Sequence, residues 1–252
     1  MAAPVFESLA RRYDAWYETP VGAWADRLES EAILRLLALQ PGERLLDLGT
    51  GTGRYAVAAA ARGARVVGVD ASRAMLSVAR ERFHASSQPI WLVRADLARL
   101  PFPDETFDAA VAVTSLCFVA DPLAVLREAR RVLRPGGRLV LGELNRWSLW
   151  AALRRLKGIV RPTVYRAARF HGIGELQRLL RSAGFVPGYW LGMLHLPPIN
   201  HAAFLRLLNP LEQLGQRSAP WLGAFLAVVA HRGADNSQVP GAGQQAARPS
   251  RI

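Results

Sequence analysis

Cysteine is almost absent from this sequence. Its 252 residues include a single one, Cys117, which lies in an apolar run. One thiol excludes a disulfide within the chain and a metal site built from cysteines, so we expect no metal. A chain that does without disulfides is typical of a reducing compartment, and we expect a cytoplasmic location.

Long hydrophobic runs are also missing. The apolar stretch near the end, Trp221 to Ala230, is about half as long as the ~20 residues that a membrane-spanning helix needs. It predicts a buried strand instead. The first residues lack the charged segment and apolar run of a signal peptide. A hydrophobic content of 51% is enough for the core of one α/β domain.

Lysine is scarce throughout, and acidic residues are scarce in the second part. Lys157 is the one lysine among 32 basic residues, and the net charge is +12. Residues 1–142 carry 18 basic and 16 acidic side chains, whereas residues 143–252 carry 14 and 4. The excess therefore lies in the second part. We expect no nucleic-acid partner, and peripheral contact with an anionic membrane stays open.

What the sequence does contain is a glycine-rich turn between a strand and a helix. The apolar run 44–48 predicts a buried strand, and an alanine-rich helical stretch begins at Arg54. Between them lie Gly49, Gly51 and Gly53. Such a turn lets the backbone approach a ligand closely at a helix N-terminus, so the pattern predicts a nucleoside cofactor.

Strand and helix patterns alternate after this turn, which predicts a parallel sheet with helices on both faces. The predicted strands are 44–48, 65–69, 90–94, 107–113, 138–143, 185–194 and 222–231. The predicted helical stretches are 1–40, 54–62, 72–83, 122–133, 147–157, 173–183 and 201–214. We predict a helical cap (1–40), a cofactor-binding core (41–145), the rest of the sheet with a lid on the substrate side (146–232) and a disordered tail (233–252).

Three acids lie in, or near the ends of, the first three strands. Asp47 lies inside an apolar strand, where a carboxylate needs donors. Asp70 ends the second strand, where an acid can accept both ribose hydroxyls, and Asp96 follows the third. Helix caps or surface turns are the plainer interpretation of all three. The segment Gly51–Ala56 also fits a loose dinucleotide fingerprint, so an NAD(P)-dependent oxidoreductase is an alternative.

Further motifs extend this pattern from residue 5 to about residue 145, and the chain resembles the class I S-adenosylmethionine-dependent methyltransferases. The similarity is to their small-molecule branch, which includes the ubiquinone and menaquinone biosynthesis type. The motifs, in order, are Phe6-x-x-x-Ala10-x-x-Tyr13-Asp14-x-Trp16, Asp47-x-Gly49-x-Gly51-x-Gly53, Asp70 with Ala74-Met75-Leu76, Ala95-Asp96, Leu100-Pro101-Phe102 with Phe107-Asp108, and Leu126-Arg127-Glu128 with Arg131-Val132-Leu133-Arg134-Pro135-Gly136-Gly137.

The resemblance implies a Rossmann-like sheet of seven mostly parallel strands with an antiparallel last strand, and S-adenosyl-L-methionine as the cofactor. Asp70 would bind the ribose, Asp96 the adenine amino group, and Thr114 would lie beside the sulfonium. Asp47 would hold the methionine end, and Met75 would lie against the adenine. The full set of implied cofactor residues is Tyr13, Asp47, Gly49, Gly51, Gly53, Asp70, Met75, Ala95, Asp96, Leu97 and Thr114.

Methyl transfer needs an acceptor atom held in line with the methyl group, and an O or C acceptor also needs a base. The candidate bases are His171, His195, His201 and Glu143, although a packing or surface role is common for such residues. Aromatic residues and arginines in 145–215 indicate a small acceptor of aromatic, lipid-like or anionic character.

The amphipathic segment 147–157 is open to three interpretations. It is a helix on the core, a lid over an anionic acceptor, or a contact with an anionic membrane. A non-enzymatic alternative for the whole chain is an RNA or membrane-surface binder with a vestigial cofactor site. The oligomeric state is left open.

Overall fold

The computed structural model describes residues 5–86, 90–160 and 168–233. Nearly all of the predicted tail, 234–252, lies outside the described residues. The described part forms a sheet in the order β3-β2-β1-β4-β5-β7-β6. Its strands are β1 (Arg44–Leu48), β2 (Arg65–Asp70), β3 (Ile90–Arg94), β4 (Phe107–Val113), β5 (Leu133–Leu144), β6 (Phe185–Met193) and β7 (Phe225–Arg232).

The first five strands pair in parallel, and β7 runs antiparallel to both β5 and β6. Parallel strands need crossovers, and helices supply them on both faces. The helices are α1 (Val5–Tyr13), α2 (Pro20–Leu37), α3 (Arg54–Ala60), α4 (Arg73–Ser86), α5 (Pro122–Val132), α6 (Leu149–Val160), α7 (Ile173–Ser182), α8 (Ala202–Leu207) and α9 (Asn209–Ser218). The predicted fold is confirmed.

Two apolar cores lie on the two faces of the sheet. One holds residues of α2, α3, α4 and α6, with Ile33, Trp24 and Phe225 among its buried side chains. The other holds residues of α5 and α7 against the opposite face, including Leu126 and Leu180. Because both faces are covered at the centre of the sheet, β1 is buried from Leu45 to Leu48, which is why Asp47 stands out there.

Two details differ from the sequence prediction. The Pro135-Gly136-Gly137 turn does not precede the fifth strand but interrupts it, since Phe107 pairs with Leu133 and Ala109 already pairs with Arg138. The helical stretch 201–214 is two helices, α8 and α9, because Pro210 lies in the first turn of the second. Within the described residues, no helix is both long and apolar enough to cross a membrane.

The carboxyl ends of the parallel strands define one edge of the sheet, called here the carboxyl edge. The turns that follow β1, β2, β3 and β4 lie there, and α6 follows β5 at the same edge. Leu144, at the end of β5, pairs with Phe225, at the start of antiparallel β7. Met193, at the end of β6, pairs with Phe225 as well. Residues 194–224 therefore return to this edge.

Candidate functional site

The glycine-rich turn after β1 requires glycine for two different reasons. Gly49, Gly51 and Gly53 have φ of +74°, +53° and +80°, the left-handed region that side chains disfavour. A Cβ on Gly49 would lie 2.6 Å from Cβ of Ser115, in the turn after β4. A Cβ on Gly53 would lie 2.5 Å from the Phe83 ring. Gly49 thus allows two turns to meet, and Gly53 allows α3 to pack on α4.

Asp70 joins the turn after β2 to the glycine-rich turn. Its Oδ1 accepts a hydrogen bond from the Ser72 amide at 2.8 Å, and its Oδ2 accepts one from the Gly51 amide at 2.9 Å. Burial raises the pKa of Asp70, although these amides oppose the shift. The carboxylate still lines a cavity, so it can accept from a ligand on its open side.

Asp47 lies beneath the turn rather than in the cavity lining. It is 3% exposed, and its Oδ2 accepts a hydrogen bond from Thr50 Oγ1 at 2.7 Å. Burial raises the pKa of Asp47 to about 7. The sequence analysis expected a ligand ammonium to supply the donor that this carboxylate needs. In the structure the hydroxyl of Thr50 supplies one, because the turn folds back over the strand.

A cavity of about 220 Å³ opens at the carboxyl edge between these turns. Eight of the predicted cofactor residues line it: Tyr13, Gly49, Gly51, Asp70, Met75, Asp96, Leu97 and Thr114. Asp47, Gly53 and Ala95 do not line it. Ala95 contributes its amide, which donates to the Asp70 carbonyl at 3.2 Å. Within the described residues, no cluster of three or more His, Cys, Asp or Glu is placed to hold a metal.

Thr114, at the end of β4, has an unusual backbone. Its φ is +47°, which is rare for a β-branched residue and costs about 1–3 kcal/mol. Its amide donates to the Gly142 carbonyl at 2.7 Å, which ties the turn to β5. This conformation turns the chain abruptly, so that Thr114 and Ser115 both border the cavity.

The N-terminal helix covers the cavity and is fastened at both ends. Glu7 accepts from the Arg73 and Ala74 amides at 3.0 and 3.3 Å, at the start of α4. Asp14 accepts from Thr52 Oγ1 at 3.0 Å and forms an ion pair with Arg82 at 2.6 Å.

An aromatic contact closes the other side of this cover. The Phe6 ring meets Phe118 edge-on, with ring centroids 4.8 Å apart. Both rings line the cavity, and sequence reasoning gave neither a role. The N-terminal motif contained Phe6 and Asp14, so the signal was present but its partners were not visible.

None of the three histidine candidates lines the cavity. His195 is held on both ring nitrogens, by Glu212 Oε1 at 3.2 Å and by the Ala219 carbonyl at 3.1 Å. His201 caps α8, since its Nδ1 accepts from the Phe204 amide at 3.2 Å. His171 is buried beside Asn145, and burial lowers its pKa. The structure therefore gives His195 and His201 packing and capping contacts.

Glu143, the fourth candidate, lies near the end of β5 and is fully buried. Its Oε1 accepts from the Leu116 amide at 2.9 Å, next to the cavity-lining Ser115. Its Oε2 has no hydrogen-bond partner among the residues that the structure describes. Burial raises the pKa of Glu143 to about 8. Glu143, like the three histidines, does not line the cavity; it supports from behind the turn that carries Ser115.

A second buried carboxyl, Glu29 of α2, was missed by the sequence analysis. Burial raises its pKa to about 8, while the charges of Arg154 and Arg54 oppose the shift. Arg54 follows the glycine-rich turn, pairs with Asp26 at 2.5 Å and stacks 3.9 Å above the Tyr17 ring. Nothing in the helical pattern of α2 singles out Glu29, because its neighbours come from α3 and α6.

Comparison with known proteins shows which sequences this chain resembles. Residues 46–141 match the family model described as a methyltransferase domain. An uncharacterized protein of Mycobacterium tuberculosis is 38% identical over 189 residues, or 75% of this chain and 62% of its own length. Demethylmenaquinone methyltransferase of Clavibacter sepedonicus is 40% identical over 141 residues, or 56% of this chain and 57% of that protein. The chain thus spans about three fifths of the curated relatives it matches.

Solved structures share the whole architecture. A S-adenosylmethionine-dependent methyltransferase of Thermotoga maritima, titled a possible histamine N-methyltransferase, is 28% identical with a TM-score of 0.68 and covers 90% of this chain and 98% of its own. The [4+2]-cyclase SpnF is 24% identical with a TM-score of 0.64, over 84% and 82% of the two chains. The second likeness concerns the fold alone.

Proposed function

We propose a function from the premise that this chain belongs to the S-adenosylmethionine-dependent methyltransferases, whose domain occupies residues 46–141. The whole protein, in this proposal, transfers a methyl group from S-adenosyl-L-methionine to an O, C or N atom of a small molecule. The observation that carries it is the convergence of Asp70, Asp96 and the glycine-rich turn on one cavity. An NAD(P)-dependent oxidoreductase has no comparable support, since the named relatives are methyltransferases.

The cavity residues fit the cofactor. Asp70 and Asp96 both line the cavity; Asp70 would accept from the ribose diol and Asp96 from the adenine amino group. Met75 and Leu97 supply apolar surface for the adenine ring. A Cβ on Gly51 would meet nothing nearer than the Gly49 carbonyl at 4.0 Å, so space lies above this turn for the methionine end.

When bound, S-adenosyl-L-methionine supplies a methyl group that its sulfonium already activates. The chain's own residues then need to orient the acceptor and exclude water. The cover formed by α1 contributes Tyr13 and Phe6 to the cavity lining and would help to exclude water from a bound donor. None of the four candidate bases lines the cavity. Glu143 binds the turn 114–118 from its buried side, and its raised pKa keeps it protonated at neutral pH, so it would position this turn rather than take the acceptor proton.

The acceptor in this proposal is a small apolar ring compound, not a nucleic acid. The relatives named demethylmenaquinone methyltransferase support this class. Their match covers 141–143 residues, which is little more than the cofactor half, so the acceptor itself needs a direct test. A cytoplasmic location is part of the proposal, because a single buried cysteine suits a reducing compartment.

Calorimetry with S-adenosylmethionine and its demethylated product tests the cofactor. We expect micromolar affinity for the wild-type protein. Asp70→Ala should weaken it by at least a hundredfold, because hydrogen bonds to a charged acceptor contribute about 1.5–3 kcal/mol each. The matched control is Asp104→Ala, at an exposed carboxylate that does not line the cavity, and it should bind as the wild type does.

Two further measurements complete the test. Asp70→Asn keeps the shape of the side chain, and its thermal unfolding separates lost affinity from lost folding. Methyl transfer to a panel of quinols, phenols and amines is then followed with labelled donor, because a related fold is titled a cyclase and binding alone does not establish transfer. A folded wild-type protein that binds NADH but neither methyl donor nor product would overturn the proposal.

A further inference from the structure

The outward surface of α8 and α9 is unusually apolar. Leu207, Leu211 and Leu214 are 77%, 55% and 59% exposed. Leu211 and Leu214 are three residues apart in α9, which places them on one side of that helix, and Leu207 ends α8 just before it. Solvent-exposed leucines in such a row cost free energy in water, so this side is suited to an apolar environment.

The same segment carries no outward negative charge. Glu212 is the single acid between residues 194 and 222, and it is fully buried. It accepts from the amides of Leu194, His195 and Leu196 at 2.8, 2.7 and 3.2 Å. Arg206 and Arg217 are both exposed on these helices. The exposed arginines of residues 194–222 are therefore not balanced by an exposed acid of the same segment.

The start of α6 also exposes apolar side chains. Trp147 and Leu149 are exposed, and residues 145–160 contain no acid. Two hydrogen bonds join this region to the segment that carries the leucines. Asn145 Nδ2 donates to the Trp221 carbonyl at 2.7 Å, and Trp150 Nε1 donates to the Leu196 carbonyl at 2.6 Å.

Trp221 is exposed too, and it completes what we call the leucine–tryptophan face: Trp147, Leu149, Leu207, Leu211, Leu214 and Trp221. The segment that carries Leu207, Leu211, Leu214 and Trp221 starts and ends at the carboxyl edge, where β6 ends and β7 begins. The cavity bordered by Thr114 opens at the same edge.

We propose that the leucine–tryptophan face binds the surface of an anionic lipid bilayer. Leucine and tryptophan enter the boundary between head groups and acyl chains, and neighbouring arginines pair with anionic head groups. Nucleic acid would use the arginines but leave the leucines in water. A second copy of the chain would bring Arg206 and Arg217 against like charges. An anionic bilayer offers an apolar region for the leucines and tryptophans and anionic head groups for the arginines.

Co-sedimentation with vesicles tests the face, and it needs neither donor nor acceptor, so it is independent of the proposed function. The probes are vesicles of phosphatidylcholine alone and of phosphatidylcholine with phosphatidylglycerol. We expect the wild-type protein to bind the anionic vesicles at least tenfold more tightly, and added salt to weaken that binding. Leu207→Glu/Leu211→Glu should lower it at least tenfold, and Arg206→Gln/Arg217→Gln should lower it by about fivefold for each arginine.

Matched controls lie at the opposite edge of the sheet, where β2 and β6 begin. Val186→Glu introduces the same charge at an exposed apolar residue, and Arg65→Gln removes an exposed arginine. Both should bind vesicles as the wild type does. Thermal unfolding checks that each variant is folded. Equal binding to neutral and anionic vesicles, or unchanged binding by the leucine variant, would refute the proposal, as would a dimer in light scattering that the leucine variant dissociates.

Discussion

The two halves of the carboxyl edge treat buried carboxylates differently. Asp70, after β2, uses its hydrogen bonds to hold two turns and still faces a cavity. Glu212, packed against the segment after β6, accepts from three amides, His195 and Gln216 and faces no cavity. The comparison separates a carboxylate that has capacity for a ligand from one whose capacity is used within the fold.

The balance of basic and acidic side chains also differs between residues 1–142 and residues 143–252. The half that carries the cavity balances its 18 basic against 16 acidic side chains, and several pairs fasten its turns and cover. The other half has 14 against 4 and turns its apolar side chains outward at α8 and α9. We interpret the first half as the part that binds the ligand and the second half as the part that binds a membrane surface.

Removing the charge of Glu212 should give the largest effect on folding. Glu212→Gln places an amide nitrogen among backbone N–H donors, so we expect the free energy of unfolding to fall by about 3 kcal/mol. Affinity for the demethylated cofactor should stay within twofold, since Glu212 does not line the cavity. Thermal unfolding measures the change in stability, and calorimetry measures the affinity. The control is Gln213→Ala, at an exposed neighbouring residue. A large loss of affinity would show that the two halves are coupled.

Two glycine variants, one in the turn that lines the cavity and one outside it, should differ by an effect of intermediate size. Gly49→Ala adds a Cβ 2.6 Å from Ser115 at φ +74°, whereas Gly136→Ala adds one at φ +75° with nothing within 4 Å. Both pay a backbone cost of about 1 kcal/mol, but Gly49→Ala must also displace the turn after β4. We expect at least tenfold weaker cofactor binding for Gly49→Ala and none of that loss for Gly136→Ala. Equal cofactor affinities of the two variants would show that the turn at Gly49 does not contribute to the binding site.

The smallest effect concerns pH. Burial raises the pKa of Glu143 to about 8, from near 4.5 in the unfolded chain. Between these values the folded protein binds a proton that the unfolded chain does not, so stability falls as pH rises from about 4.5 to 8. Glu143→Gln removes this contribution. Between pH 6 and 7 the wild type should lose up to about 1.4 kcal/mol more than the variant. Denaturant titrations at both values measure the difference, and identical losses would contradict it.

Sequence predicted the cofactor half well because its signals are local. Each glycine or acid follows its own strand within a few residues, and the parallel order then brings these turns together at one edge. The β5 interruption at Pro135–Gly137 was misplaced by only a few residues. The roles of His195 and Glu212 could not be predicted, because they lie 17 residues apart and meet only through the packing of α9.

Missed contacts in the cofactor half have the same origin. Asp14 bonds to Thr52 and Arg82, 38 and 68 residues away. The spacing of α1 predicts a helix but not the neighbours that fix it. Sequence likewise does not distinguish Glu143, buried beside the turn, from three histidines of similar chemistry, because burial depends on what β7 and the turn after β4 cover.

Glu7 and Asp14 hold the N-terminal helix in place independently of the two apolar cores, since neither residue belongs to them. Their contacts are polar and 2.6–3.3 Å long, whereas the sheet is held by buried apolar side chains. We therefore expect loss of either carboxylate to loosen this helix while the packing of the sheet is retained.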